Sequence, residues 1–446
     1  MSAVATPAPP GSPEVRSRWG LFAERDFRLL WVGETVSQLG NNITSVALPL
    51  VAVLVLDAGP LAAGVLTAAV WLPWLVLGLP AGVWVGRVPR RAVMIACNLG
   101  SAALFASVPV AGWFGVLTLA QLLVVALLAG VSSVFFEAAF EAYLPELVAP
   151  EHLIEGNAKL QGSASAAAVA GRGLAGLTVQ LLGATAGLLA DAVSFLVATV
   201  TLLRIRTGPR PVAAEAAPDG LLRQAREGLA FLLRDPYLRS FTLYGATANF
   251  ALTGYQSITA LFLIRSAGIA PGWVGGLASA GAVGGVFGAL AVRPLCRRLG
   301  TARAVRIVLL ALSPFGMLMA LAGPGPGTVL YLVGALLVVA GVVFCNVVLN
   351  SFRQSYLPPE LLSRVAATSM CANHATIPLG ALTGGALGAA IGLRATMGVM
   401  TGLLALCAVL PLLSPLRTVR DLPTRELPTR ELPTGEGAVR AAEPRP

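Results

Sequence analysis

The chain has 446 residues, 56% of them hydrophobic and only 12% charged, with a formal net charge of +10. Soluble domains carry about 25% charged residues, so this composition excludes a water-soluble globular protein. The positive charge lies on alternate loops between apolar runs rather than on one face, which excludes a nucleic-acid surface and fits membrane topology.

Residues 1–26 contain Pro, Ser and Arg without an apolar centre, so no removable leader is expected and the segment reads as a cytoplasmic tail. Apolar runs then recur at about 20 residues, the length that crosses the hydrocarbon core of a bilayer. Twelve spans are expected, near 29–56, 61–85, 92–112, 117–142, 159–182, 184–203, 240–264, 272–292, 304–322, 327–350, 364–390 and 395–414. The alternating short segments of a lipid-facing barrel are not seen. The expected fold is an all-α membrane protein of twelve transmembrane helices in two pseudo-symmetric six-helix bundles, residues 27–204 and 237–414.

Between the bundles, residues 205–236 break the apolar series. Asp219 opens a pattern with Leu222, Ala225, Leu229 and Leu233 on one face and Arg223, Arg226 and Arg234 elsewhere, as for a helix lying on the membrane surface. Residues 415–446 carry Leu-Pro-Thr-Arg-Glu at 422–426 and again at 427–431, then Leu-Pro-Thr-Gly-Glu at 432–436. Proline at every fifth position prevents a stable helix, so a disordered cytoplasmic tail is expected.

Basic residues cluster before span one, after span two, in the central segment, between spans eight and nine and between ten and eleven. The opposite loops carry only Arg265 and Arg394. This asymmetry places both termini in the cytoplasm of a multi-pass plasma-membrane protein.

The two halves resemble each other. Tyr143-Leu-Pro145 and Tyr356-Leu-Pro358 lie 213 positions apart, each closing an apolar run. The Leu-Pro-Ala-Gly of span two with the basic stretch Arg87 to Arg91 has a counterpart in Gly288 to Arg298. A repeat of half the chain built from apolar spans indicates a duplicated bundle.

Polar side chains in hydrocarbon are costly, so their positions are informative. Span one carries Glu34, Gln38, Asn41, Asn42 and Ser45 on one face, and span seven carries Thr242, Asn249, Thr253 and Gln256. Ser133, Glu137 and Glu141 of span four align at the same offset with Asn346, Asn350 and Gln354 of span ten. Spans five and eleven add Gln161, Ser165, Arg172, Ser369, Asn373 and Thr376. As a set they are read as lining a water-accessible cavity. The bland alternative for each one singly is a hydrogen bond that holds helices together.

Glu137 and Glu141 share a face near the cytoplasmic end of span four, at the membrane level of Arg87, Arg90 and Arg91. A carboxylate–guanidinium latch is expected there, with Arg297 and Arg298 as the matching basic group of the second half. A proton-carrying role for Glu137 is the alternative. Glu34 either reaches the interface or is a titrating site. Arg172 is deep enough to require a carboxylate, water or an anionic cargo. Asp191 reads as structural, and His374 as a packed polar residue or a titrating one.

Gly171-Arg-Gly-Leu-Ala-Gly176 formally matches a dinucleotide fingerprint, but it sits inside an apolar helical run and is read as a close helix crossing. No phosphate-binding loop is present, Lys159 is the sole lysine, and the histidines are His152 and His374. The five cysteines lack metal-ligand spacing and read as apolar fillers. No enzyme activity, metal or other cofactor is therefore expected.

Thr44-Ser-Val-Ala-Leu-Pro49, Phe27-Arg-Leu-Leu-Trp31, Ser37-Gln-Leu-Gly40, Gly78-Leu-Pro-Ala-Gly82, Tyr143-Leu-Pro-Glu-Leu147 and Asp191-Ala-Val-Ser-Phe195 carry a family resemblance. Over residues 21–417 the chain resembles a major facilitator superfamily transporter, of the branch containing bacterial drug exporters and enterobactin-type siderophore exporters. The resemblance implies two six-helix bundles rocking about a central site, usually driven by proton antiport. It also implies an acidic residue where this chain has Gly86, another near Asn41, and proline where Arg172 stands. Part of the family's charge latch and of its proton scheme is thus missing, whereas Glu137 matches an acidic family position.

The expected activity is secondary transport of an amphipathic small molecule (an antibiotic, drug or siderophore), as a proton-coupled exporter. The expected partners are that molecule, the proton and the bilayer, with the protein acting as a monomer. An importer or uniporter of the same fold is the alternative, and a non-transporting receptor or enzyme a third.

Overall fold

The computed structural model describes residues 20–149, 152–206, 230–357, 359–413 and 415–423. Among these residues the fold is all-α, with helices α1 (Arg25–Leu54), α2 (Pro60–Val85), α3 (Arg90–Trp113), α4 (Leu119–Leu147), α5 (Leu153–Leu182) and α6 (Ala184–Arg204). They are followed by α7 (Pro236–Leu261), α8 (Pro271–Leu299), α9 (Thr301–Leu312), α10 (Thr328–Tyr356), α11 (Pro359–Ile391) and α12 (Leu393–Cys407).

Local chemistry sets the ends. Pro60, Pro236 and Pro271 open α2, α7 and α8, where the missing N–H has no partner to lose. Thr118 caps α4 through the Gln121 N–H, and Asp235 caps α7 through the N–H groups of Tyr237 and Leu238. Gly183 joins α5 to α6 and Gly392 joins α11 to α12, at φ +87° and +86°. With ψ near 160° this is backbone that only glycine adopts without strain. The same one-residue joint therefore recurs in both halves of the chain.

Among the described residues ten helical stretches are long and apolar enough to cross a membrane, which makes this a multi-pass membrane fold. The twelve spans expected from sequence are thus ten by length and hydropathy, and the two that fall short are α1 and α7. The reason is chemical: α1 carries Arg25, Asp26, Arg28, Glu34, Gln38, Asn41 and Asn42, and α7 carries Arg239, Asn249 and Gln256. The ninth span also differs, because its helix tightens to a 3-10 turn over Ser313–Leu321. Pro314 has no N–H to continue an α-helical ladder there.

In the first half α1 packs on α5 and α6, α3 on α4 and α6, and α2 on α4. In the second half α7 packs on α11 and α12, and α10 on α8, α9 and the 3-10 segment. The main contacts across the halves are α2 with α11 and α5 with α8. The outer face of α6 exposes Leu189, Val193, Leu196, Val197, Val200 and Leu203, an all-apolar strip suited to lipid.

The tail expected to be disordered from residue 415 is tied down at its start. Arg303 N–H donates to the Arg420 carbonyl at 3.1 Å, Thr301 N–H to Asp421 Oδ1 at 2.9 Å, and Leu422 N–H to Thr301 Oγ1 at 2.8 Å. Arg306 also donates to the carbonyls of Arg417 and Val419. The pentads beyond residue 423, the N-terminal tail up to residue 19 and the Asp219 pattern up to residue 229 lie outside the described residues. Residues 230–234 are helical.

Candidate transport cavity

Helices joined by short loops run alternately up and down, so the ends at Leu54/Pro60, Leu182/Ala184, Leu261/Pro271 and Ile391/Leu393 share one side. Contacts between the two helix sets concentrate near that side. On the α5–α8 seam, a Cβ on Gly275 would run into the Arg172 carbonyl and the Gly176 backbone. On the α2–α11 seam, a Cβ on Gly64 would meet the Ala381 carbonyl and Gly385. Ser279 donates to the Val169 carbonyl at 2.9 Å across the first seam. All four glycines lie within about 10 Å of their helix ends, at 1.5 Å rise per residue. The loops add an exposed ion pair, Arg265 Nη2 to Asp57 Oδ1 at 2.5 Å. Arg265 and Arg394, the two arginines on the side whose loops carry no other basic residue, are both engaged within the protein. Arg394 donates to the carbonyls of Ala320 and Ala322 at 2.7 and 2.9 Å.

Towards the opposite side the facing surfaces are polar and exposed. On α4 these are Ser133, Glu137 and Glu141, on α5 Gln161 and Ser165, and on α10 Asn346, Asn350 and Gln354 with Ser351 and Ser355. The contrast with the apolar strip of α6 identifies this as a water-facing surface, since an exposed amide or carboxylate in hydrocarbon would cost several kcal/mol, on the order of 2–4.

The sequence candidates separate into groups. Asn41, Gln256, Asn346, Asn350, Glu137 and Glu141 are exposed, and Glu34, Gln38, Arg172 and Asn249 are half-buried. Glu34 Oε1 accepts from Gln38 Nε2 at 2.7 Å, and Glu137 lies within electrostatic reach of it. Arg172 has no hydrogen-bonded or ion-paired acceptor among the described residues; Tyr255 of α7 is its nearest electrostatic neighbour. Asn42 and Asn373 instead serve helix packing. Asn42 donates to the Gln38 carbonyl at 2.8 Å and abuts Gly171 of α5. Asn373 donates to the Ser369 carbonyl at 2.8 Å and abuts Gly245 of α7.

The expected latch takes a different form. Arg90 pairs with Glu146, not with Glu137 or Glu141, and Arg91 donates to the carbonyls of Leu202 and Leu203 at 2.9 Å. Arg87, Arg297 and Arg298 are exposed. Among the described residues no ion pair joins them to Glu137 or Glu141. Both carboxylates are exposed.

Asp191 is structural as expected: it is fully buried, accepts from Ser194 Oγ at 2.9 Å, and fits beside Gly40 of α1. The glycines of the false dinucleotide motif make close crossings, Gly171 with α1 and Gly176 with α8. His374 lies between Trp71 and Trp74 of α2, 5.8 Å from each ring centroid. That aromatic contact across the α2–α11 seam was missed from sequence. Two Trp three residues apart on one helix face were the available signal. Among the described residues no group of three or more His, Cys, Asp or Glu is placed to hold a metal ion.

Comparison with known proteins agrees with this architecture. The chain is 28% identical over 400 residues to the multidrug efflux pump Tap of Mycolicibacterium fortuitum, covering 86% of this chain and 95% of that one. It is 23% identical over 409 residues to macrolide efflux protein A of Streptococcus pyogenes, covering 88% and 96%. The fold is similar to the solved nucleoside transporter NupG, with a TM-score of 0.73 at 13% identity, covering 88% of this chain and 99% of that one. Residues 30–377 match the Major Facilitator Superfamily. The chain belongs to that superfamily, as a secondary transporter that moves small molecules across a membrane.

Proposed function

We propose that this protein is a proton-coupled exporter of amphipathic small molecules working by alternating access. Its twelve helices act as two six-helix bundles, and its arrangement here is open to the cytoplasm. One observation carries the reading. The seams α2–α11 and α5–α8 are closed by glycine contacts near one side, whereas the polar residues of α4 and α10, two helices that are not among the packed pairs, are exposed towards the other. The basic loops at the open side support reading it as cytoplasmic, with both termini there.

Rocking about the glycine seams would expose the same polar faces to the outside. Glu34 and Glu137 are the carboxylates positioned to exchange a proton with the hollow, one joined to Gln38 and the other exposed. Arg172 is the fixed positive charge nearest the closed seam. The named relatives, a multidrug pump and a macrolide efflux protein, favour a drug-like cargo and outward direction.

Everted vesicles test the reading, because their lumen corresponds to the cell exterior. An acid-inside gradient is expected to drive uptake of cargo, a protonophore to abolish it, and Glu34→Gln to remove the gradient dependence while leaving protein in the membrane. Uptake indifferent to the gradient in the wild type would refute proton coupling.

A further inference from the structure

The two halves place different chemistry at matched positions. Ser133, Glu137 and Glu141 of α4 correspond at the 213-residue offset to Asn346, Asn350 and Gln354 of α10, and all six are exposed. We infer that the amide row Asn346–Asn350–Gln354 is the cargo-binding wall, and that it selects molecules presenting an uncharged, oxygen-rich edge of hydroxyl, ether or carbonyl groups. The inference rests on the transport reading and names its substrate class.

Three observations support it. The row occupies successive i, i+4 positions, so the side chains align on one face over about 12 Å, at 1.5 Å per residue. No intramolecular hydrogen bond engages these three amides among the described residues. Four half-buried amides behave differently: Gln38, Asn42, Gln121 and Asn373 donate within the protein, whereas Asn98, which has no partner, is buried away from any exposed face. Finally, the exposed face around the row is polar, with Ser351 and Ser355 beside it and Val347 as the apolar exception.

Each amide offers two donors and one acceptor, a set that matches alternating hydroxyl and carbonyl oxygens. An amide wall supplies no countercharge, so it gives a full charge no pairing partner to offset desolvation. Charged parts of a cargo, or the proton, belong on the opposite wall with Glu137 and Glu141. Duplication followed by divergence of one wall thus separates cargo recognition from coupling.

The test measures binding by the purified full-length protein in detergent. Chloramphenicol serves as the neutral probe, bearing hydroxyls and an amide, and ethidium as a planar cation without oxygen. Replacing Asn346, Asn350 and Gln354 together with Leu is expected to weaken chloramphenicol binding at least about tenfold, as expected when several hydrogen bonds are lost. Asn350→Leu alone should produce part of that loss, and Asn350→Gln should restore most of it. Ethidium binding, where present, should change by less than about twofold. Replacing amides with Leu on a lipid-facing or merely structural face would leave chloramphenicol affinity unchanged, and that result overturns the inference. Equal loss of both probes, or no wild-type chloramphenicol binding up to about 1 mM, a very weak affinity, overturns it too. Gradient-driven uptake in everted vesicles is scored separately. Amide-dependent binding without gradient-driven uptake would refute the coupled-export reading and leave the wall assignment standing.

Discussion

Tyr356 donates its hydroxyl proton to Asp235 Oδ2 across 2.6 Å, while Oδ1 of the same carboxylate caps the first turn of α7. One side chain therefore ties the C-terminal end of α10 to the start of α7. These are two polar-faced helices of the second half, joined at these ends by the tie. Tyr356 also stacks on Phe352, 4.8 Å between centroids, which fixes the ring that makes the bond.

Asp235→Ala should remove both the cap and the tie. A lost cap costs about 1 kcal/mol and a lost hydrogen bond to a charged group about 1.5–3 kcal/mol. Thermal unfolding of the purified protein should show a clear fall in Tm. Asp235→Asn, which keeps an acceptor for the cap, should show a smaller one. Equal effects of the two variants would mean that the carboxylate charge, rather than the cap, carries the stability.

The glycine seams should set the balance between open and closed states. Gly275→Val places a branched side chain against the Arg172 carbonyl and Gly176, and Gly385→Val places one against Pro60 and Gly64. Overpacking of this kind costs about 1–3 kcal/mol, here charged only to the state in which the seam is shut. Both variants should gain labelling from the outside at a reporter cysteine introduced at Gln180. Unchanged labelling would show that these seams do not separate during transport.

The Arg90–Glu146 pair should be structural. Glu146 is buried and Arg90 half-buried, so Glu146→Ala leaves a guanidinium without its partner near the base of α3. A stability loss on the order of 2 kcal/mol is expected, with lower expression and no change in cargo selectivity. Glu137→Ala should do the reverse, since its carboxylate is exposed and has no ion pair among the described residues: expression stays normal and gradient-driven transport falls. The comparison is read by quantifying membrane protein and uptake in the same vesicles.

Much of this arrangement was legible in the chain. Apolar runs gave the helices to within a few residues, and the repeat at Tyr143 and Tyr356 gave the matched polar faces of α4 and α10. The latch was not legible. Glu137, Glu141 and Glu146 all lie in the half of α4 that runs towards Arg90, and that much can be read from sequence. The face cannot: five residues from Glu141 to Glu146 turn the helix by about 140°, at 3.6 residues per turn. Asn42 and Asn373 were read with the cavity because both share its helices. Whether such an amide meets water or a glycine on a neighbouring helix depends on how the helices cross. The ordered start of the C-terminal segment escaped notice for a different reason. It is held largely through backbone groups of Arg420, Leu422, Thr301 and Arg303, which leave little trace in residue type.

Labelling from opposite sides of the membrane bears most directly on the cytoplasmic-open cavity. Single cysteines at Ser133 and Asn346, in a chain whose five native cysteines are replaced, would be exposed to an impermeant thiol reagent in everted and in right-side-out vesicles. The cavity described here requires both positions to react in everted vesicles, and faster there than in right-side-out ones. Protection in both preparations, or reaction from the outside alone, would contradict it.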